Sequence, residues 1–212
     1  MEHKEILDVI LNKKIIAIIR LESSDRLIKV AESLIAGGIN IIEFTVPTPN
    51  SIEMINLACK HFGDRVIMGA GTVLDPETAR VAILAGAQFI VTPTLNLEVI
   101  KLCHRYGKPV IPGALSPTEI LTAWEAGADV IKVFPASLGG PEYIRAIKAP
   151  LPQVRIATVG GVDSNNGAEY LRAGAVALGV GGKLVDKVAI DLEDWASLTQ
   201  EARKLVEVVT HG

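Results

Sequence analysis

Aromatic side chains are scarce. They make up 4% of the 212 residues, against 49% for apolar residues of all kinds. Any core must therefore come from Ile, Val, Leu and Ala, and a chain of this length buries about 70% of its extended surface. Cysteine is nearly absent too. Cys59 and Cys103 stand alone, without a CxxC spacing, which excludes a disulfide framework or a zinc ribbon and predicts two reduced, buried thiols in a cytoplasmic protein. The histidines His3, His61, His104 and His211 are dispersed and have no metal-ligand spacing. Cations are not in excess: 21 Lys and Arg face 24 Asp and Glu, for a net charge of -3. That balance gives no reason to expect a nucleic acid partner. No apolar run approaches the roughly 20 residues of a membrane span, and Glu2, Glu5 and Asp8 make the N-terminus unlike a signal peptide.

What the chain does have is short apolar runs at regular intervals. An amphipathic segment at about 2–12 precedes Ile15–Ile19, and further runs follow near 38–43, 66–69, 88–92, 109–112, 129–134, 155–159 and 176–180. They lack polar alternation, as parallel strands do when both faces are buried. Helical periodicity fills the gaps near 24–36, 51–61, 76–85, 96–106, 117–126, 141–149 and 164–173, with a last helix from about 192 to 209. Eight strands with eight crossovers predict a closed (β/α)8 TIM barrel of the α/β class with a short N-terminal helix; five or six strands would predict an open sheet. Gly37-Gly38, Gly86, Gly127 and Gly174 fall where helix C-caps precede strands. Pro76, Pro117 and Pro141 fall at helix starts, where no backbone N–H is needed. No Ser/Gly-rich linker interrupts the pattern, so residues 1–212 are expected to form one domain.

Active sites of such barrels form at the C-terminal ends of the strands, and the unusual residues fall there. Arg20 ends the first run and Glu43 the second; Gly69-Ala70-Gly71-Thr72 closes the third; Thr92-Pro93 and Pro112-Gly113 follow the fourth and fifth. Lys132 lies inside Val130-Ile131-Lys132-Val133-Phe134, near the end of the sixth run. Gly160-Gly161 follows the seventh, and Gly179-Val180-Gly181-Gly182 the eighth. A lysine in an apolar strand either snorkels to water or faces a prepared polar site. In the second case burial disfavours the ammonium form and supplies the neutral amine that attacks a carbonyl. Glu43 is then either a structural ion-pair partner or a carrier of protons. Glycine pairs after the last two strands let backbone N–H groups approach a phosphate, although each pair alone is also an ordinary turn. Lys183 either adds charge there or is a solvated first-turn residue. Asp75, Asp163 and Asp186 lack paired-ligand spacing and are expected to cap helices or shape loops, while Trp124 and Trp195 are expected to pack on helices.

Taken in order, Ile16-Ala17-Ile18-Ile19-Arg20, Ile42-Glu43, Gly71-Thr72, Thr92-Pro93, Pro112-Gly113, Lys132-Val133-Phe134-Pro135 and Gly179-Val180-Gly181-Gly182 span nearly the whole chain. In that order they resemble the family of 2-keto-3-deoxy-6-phosphogluconate and 4-hydroxy-2-oxoglutarate aldolases. The resemblance implies a class I aldolase with no metal and no cofactor, normally a homotrimer. It makes Lys132 the Schiff-base lysine and Glu43 the proton-transfer residue. Thr72 contacts the pyruvate carboxylate, Pro93 and Phe134 line its pocket, and Gly160, Gly161, Gly181 and Gly182 hold the distal phosphate. Arg20 faces the same mouth and reaches either anionic end of the substrate. The chain departs from the best-known members by having Pro47 where they carry arginine, Val159 where many carry threonine and Gly182 where many carry serine. Val159-Gly160-Gly161-Val162 is similar instead to the sister enzymes that cleave the phosphogalactonate epimer.

The reaction so implied is cleavage of 2-dehydro-3-deoxy-6-phosphogluconate to pyruvate and glyceraldehyde 3-phosphate, as in Entner–Doudoroff carbohydrate metabolism. The phosphogalactonate epimer and 4-hydroxy-2-oxoglutarate are the alternative substrates. From other classes, a sugar-phosphate isomerase or epimerase would need a second acid/base or a metal at the mouth. A non-catalytic barrel that binds a phosphorylated ligand would leave a lysine facing a glutamate unexplained. The expected partners are thus small 2-oxo acids, aldehyde phosphates and further copies of the chain, with neither nucleic acid nor membrane.

Overall fold

The computed structural model describes residues 1–22 and 25–211. The apolar runs become the strands β1 (Ile15–Ile19), β2 (Ile41–Thr45), β3 (Ile67–Gly71), β4 (Phe89–Val91), β5 (Val110–Ile111), β6 (Gly113–Ala114), β7 (Ile131–Val133), β8 (Ile156–Val159) and β9 (Ala177–Val180). All lie in one sheet in the order β5-β4-β3-β2-β1-β9-β8-β7-β6, and every pairing is parallel. The two ends of that order are adjacent in the chain. β5 and β6 are halves of one barrel strand divided at Pro112, whose nitrogen has no hydrogen to give a ladder. The Pro112 carbonyl still accepts from the Lys132 N–H at 2.8 Å, and the Gly113 N–H turns to Thr92 Oγ1 at 3.2 Å. The nine strands of the described residues thus occupy eight positions, and the ring closes as a (β/α)8 barrel.

Around it run α1 (His3–Lys13), α2 (Leu27–Ala36), α3 (Ser51–Phe62), α4 (Pro76–Ala85), α5 (Leu97–Arg105), α6 (Pro117–Glu125), α7 (Gly140–Lys148), α8 (Gly167–Arg172), α9 (Lys187–Asp191) and α10 (Trp195–His211). The expected start of α2 at residue 24 lies outside the described residues. Local chemistry sets the ends: Gly38, Gly86, Gly127 and Gly174 take positive φ between helix and strand, as helix C-caps do. Asp75 accepts the Thr78 N–H at 2.6 Å to cap α4, and Asp186 accepts the Ala189 N–H at 2.8 Å to cap α9. The half-buried Trp124 and Trp195 pack against the core between sheet and helices.

Strand residues alternate between two apolar layers. Ala17, Ile42, Phe44, Met68, Ala70, Ile90, Ile131, Val133, Ile156 and Leu178 pack outward under the helices. Ile16, Ile41, Ile67, Phe89, Val91, Ile111, Val130, Ala157 and Ala177 form a second cluster with Ile6 and Ile10 of α1. The second cluster draws on both sides of the ring, so it fills the barrel interior, and α1 seals its N-terminal end. Each fully buried Ile there stabilises the fold by about 1.5–3 kcal/mol.

Candidate active site

The parity that sends Ile41 and Val130 inward also sends the residues two positions further on, Glu43 and Lys132, into the barrel. They stand over the aliphatic floor, beneath the mouth formed by the loops that follow the strands. A cavity of about 410 Å³ opens there. Lys132, Glu43, Arg20, Thr72, Pro93, Phe134, Gly160, Gly161, Gly181 and Gly182, the ten residues singled out from the sequence, all line it. Ile18, Val159, Val162, Asp163, Gly179 and Lys183 complete the wall.

One detail departs from the sequence reading. Glu43 does not end its strand but occupies the middle of β2, and Lys132, expected near the end of its run, is the central residue of the short β7. Gly38 is taken up by the turn that ends α2, so β2 starts later than expected and runs on to Thr45, in register with Gly71. Both side chains are therefore deep: Glu43 is 2% exposed and Lys132 4%. The snorkelling alternative for Lys132 fails on that number. Its ammonium nitrogen lies 5.1 Å from the centre of the Phe134 ring, within cation–π range.

Glu43 Oε1 is buried without a hydrogen-bond partner among the described residues. Burial pushes the Glu43 carboxyl above the usual range, and the charges of Lys132 and Arg20 oppose that shift through space. The carboxylate lies across Gly71, where an added Cβ would come within 1.8 Å of Oε1. Thr72, the next residue, holds φ at 58°. That left-handed backbone is strained for a β-branched side chain and is maintained by its surroundings.

On the opposite side, Gly160 and Gly161 have φ of 92° and 75°. An added Cβ at Gly161 would meet Ser137 Cβ at 2.7 Å. The Asn166 side chain pins this turn, donating to the Gly161 carbonyl at 2.8 Å and accepting the Asp163 N–H at 2.9 Å. The N–H groups of Gly160, Gly161 and Gly182 have no acceptor among the described residues. Lys183 and Asp163 form an ion pair at 2.9 Å beside them, so Asp163 is more than the loop residue expected from sequence.

Among the described residues no cluster of three or more His, Cys, Asp or Glu is placed to hold a metal, and no helix is long and apolar enough to cross a membrane. Cys103 is buried and its thiol is pushed up to about 12, first by burial and then by the Asp129 charge; Cys59 is half-buried rather than buried.

A parallel eight-position barrel holding a buried amine and a buried carboxylate in one mouth has the architecture of an aldolase, a lyase that makes and breaks carbon–carbon bonds. The comparisons with known proteins narrow the class. The family model for KDPG and KHG aldolase matches residues 6–201. A 2-dehydro-3-deoxy-6-phosphogalactonate aldolase of Escherichia coli (strain K12) is 39% identical over 171 residues, 80% of this chain and 83% of that protein. A 2-dehydro-3-deoxy-phosphogluconate aldolase of Treponema pallidum (strain Nichols) is 37% identical over 197 residues, 92% of this chain and 93% of that one. Among solved structures, a KDPG aldolase from Legionella pneumophila, with pyruvate captured at low pH as a covalent carbinolamine intermediate, superposes with a TM-score of 0.88. It is 31% identical and covers 94% of this chain and 97% of that one. The chain belongs to the KDPG and KHG aldolase family of class I, Schiff-base-forming enzymes, and it is an aldolase.

Proposed function

We propose that the enzyme cleaves a 2-keto-3-deoxy-6-phospho-hexonate, the gluconate form first, to pyruvate and glyceraldehyde 3-phosphate through a Schiff base on Lys132. The observation that carries this reading is the burial of Lys132 and Glu43 together on the inner wall of one cavity. The neutral Lys132 amine adds to the C2 carbonyl, and Glu43 relays protons as the carbinolamine forms and loses water. Glu43, or a water it orients, then takes the proton of the C4 hydroxyl. The C3–C4 electron pair flows to the iminium nitrogen, leaving an enamine, and the aldehyde departs. Protonation at C3 and hydrolysis of the imine release pyruvate and restore the amine.

Thr72 and Arg20 orient the carboxylate, while Pro93 and Phe134 bound the three-carbon end. The free N–H groups of Gly160, Gly161 and Gly182, with Gly181 in the same wall, face the distal phosphate. Neither metal nor cofactor enters these steps. The phosphogalactonate epimer is the second reading, favoured by the 39% identity to an enzyme named for it. Values of kcat/KM for both C4 epimers, each with and without phosphate, test the proposal. The phosphorylated acids are expected to be favoured at least about tenfold, the scale of charge-assisted hydrogen bonds. Equal cleavage of the unphosphorylated acids refutes the phosphate assignment, and a strong galactonate preference refutes only the choice of epimer.

The active form is a cytoplasmic homotrimer in this reading. Leu57 of α3, Leu74, and Val81 and Leu84 of α4 are exposed apolar side chains on neighbouring elements, a surface suited to another copy. A sedimentation-equilibrium mass that stays near 22.6 kDa at micromolar concentrations contradicts the trimer.

A further inference from the structure

A cradle for a phosphate has no evident need of an acid, yet Asp163 lines it. Its side chain is 19% exposed and is held in place. Oδ1 accepts the Asn165 N–H at 2.8 Å and Oδ2 accepts the Asn165 amide at 3.4 Å, while the Asp163 N–H is tied to Asn166. Lys183, on the loop after β9, reaches Oδ2 at 2.9 Å with 62% of its own side chain exposed. The acid is held by its neighbours and the cation is the more exposed member. The pair bridges the loops that follow β8 and β9, whose glycine N–H groups form the rest of the distal end. The Lys183 hydrogen bond holds the Asp163 carboxyl below its usual range, and Asp163 raises the Lys183 ammonium in turn. Both are charged at neutral pH, and their charges cancel.

We propose that Asp163 is a specificity-determining residue that weakens the selection for a charged tail, by occupying Lys183 and by opposing an incoming anion. The inference rests on the reading that the substrate phosphate sits at the Gly160–Gly161 end. A phosphate monoester carries nearly two negative charges at neutral pH. To use Lys183 it must draw the ammonium away from Asp163, and it then lies beside an uncompensated carboxylate. Exposed ion pairs are weak, so the exchange takes place, but part of the gain from the new contact is lost. A tail without charge leaves the pair intact and loses nothing. The chain therefore accepts unphosphorylated 2-oxo acids more readily than the same cradle would without Asp163.

The test uses the full chain and two probes, the 6-phosphorylated 2-keto-3-deoxy acid and its unphosphorylated counterpart. The readout is the ratio of their kcat/KM values. Asp163→Asn keeps an Oδ1 acceptor for the Asn165 N–H while removing the charge, and it should raise the ratio about threefold, the size of an exposed ion pair. Lys183→Met should lower it roughly tenfold, and in that background Asp163→Asn should have a smaller effect than alone, because the two residues act as a unit. A loop merely loosened by mutation would not raise the ratio. Borohydride trapping with pyruvate reports whether each variant still folds around its lysine end. A ratio unchanged or lowered by Asp163→Asn, in a wild type that prefers the phosphorylated acid, overturns the inference and leaves the phosphate reading standing. A wild type without preference that gains one through Asp163→Asn supports the inference. Absence of preference in both overturns inference and phosphate reading together.

Discussion

Glycine at position 71 is what gives the Glu43 carboxylate its place, and Gly71→Ala tests that directly. The new Cβ would lie 1.8 Å from Oε1, 2.3 Å from Cδ and 2.4 Å from Cγ of Glu43. Nonbonded carbon and oxygen tolerate little less than about 3 Å, so the carboxylate must move by more than about 1 Å. Backbone adjustment offers little relief, because β2 and β3 are locked in register with Glu43 opposite Gly69 and Thr45 opposite Gly71. The displaced carboxylate is expected to swing into the cavity, away from the position from which the proposed mechanism has it serve Lys132. A misplacement of that size costs about a hundredfold in rate, while overpacking destabilises the fold by about 1–3 kcal/mol. The assay is pyruvate release under kcat/KM conditions, with a thermal melt to confirm folding and borohydride trapping to confirm that Lys132 still reacts. A folded Gly71→Ala enzyme that keeps activity within about threefold of wild type would refute the idea that this contact sets the carboxylate's position.

Three further outcomes follow from the geometry of the site. In the proposed mechanism Glu43 must be ionised to accept a proton, and its carboxyl is raised by burial, so kcat/KM should fall as pH drops through a value above the ordinary 4.5; a profile flat down to 4.5 contradicts this. The sign for stability is the reverse: a raised carboxyl stabilises the fold below its unfolded value and loses that contribution as pH rises through the folded one, so Glu43→Gln should raise the melting temperature more at alkaline than at acid pH. Gly161→Ala forces an L side chain to φ 75° and against Ser137. It should cost about 1–2 kcal/mol, or roughly 2–8 °C in Tm, and raise KM for the phosphorylated acid more than for the unphosphorylated one; an unchanged Tm and KM would contradict the strained-turn account.

The order of elements was legible because parallel strands buried on both faces leave unbroken apolar runs, and helices between them keep their 3.6-residue period. The same feature hid the interior. Runs such as Ile15–Ile19 and Ile41-Ile42 are apolar toward both the axis and the helices, so nothing in them says which parity faces inward, and the wall residue Ile18 was not legible as part of the site. Lys132 and Glu43 stood out because each breaks such a run with a charge. Their depth was not visible, since strand ends depend on tertiary pairing: Thr45 is drawn into β2 by its register with Gly71. The Pro112 break marked the fifth strand, but only pairing with β7 shows Gly113–Ala114 to be its continuation. The short α9 escaped notice because five residues carry too little periodicity. The ion pair of Asp163 with Lys183 joins loops twenty residues apart, a contact that no local pattern encodes.

The central claim is that Lys132 is the nucleophile, and the most direct measurement is peptide mapping by mass spectrometry after incubation with pyruvate and borohydride. The account predicts one reduced pyruvyl group per chain, on the peptide containing Lys132, absent from Lys132→Met along with nearly all cleavage activity. An adduct on another lysine, or a folded Lys132→Met enzyme that still traps pyruvate and cleaves substrate at the wild-type rate, would contradict it.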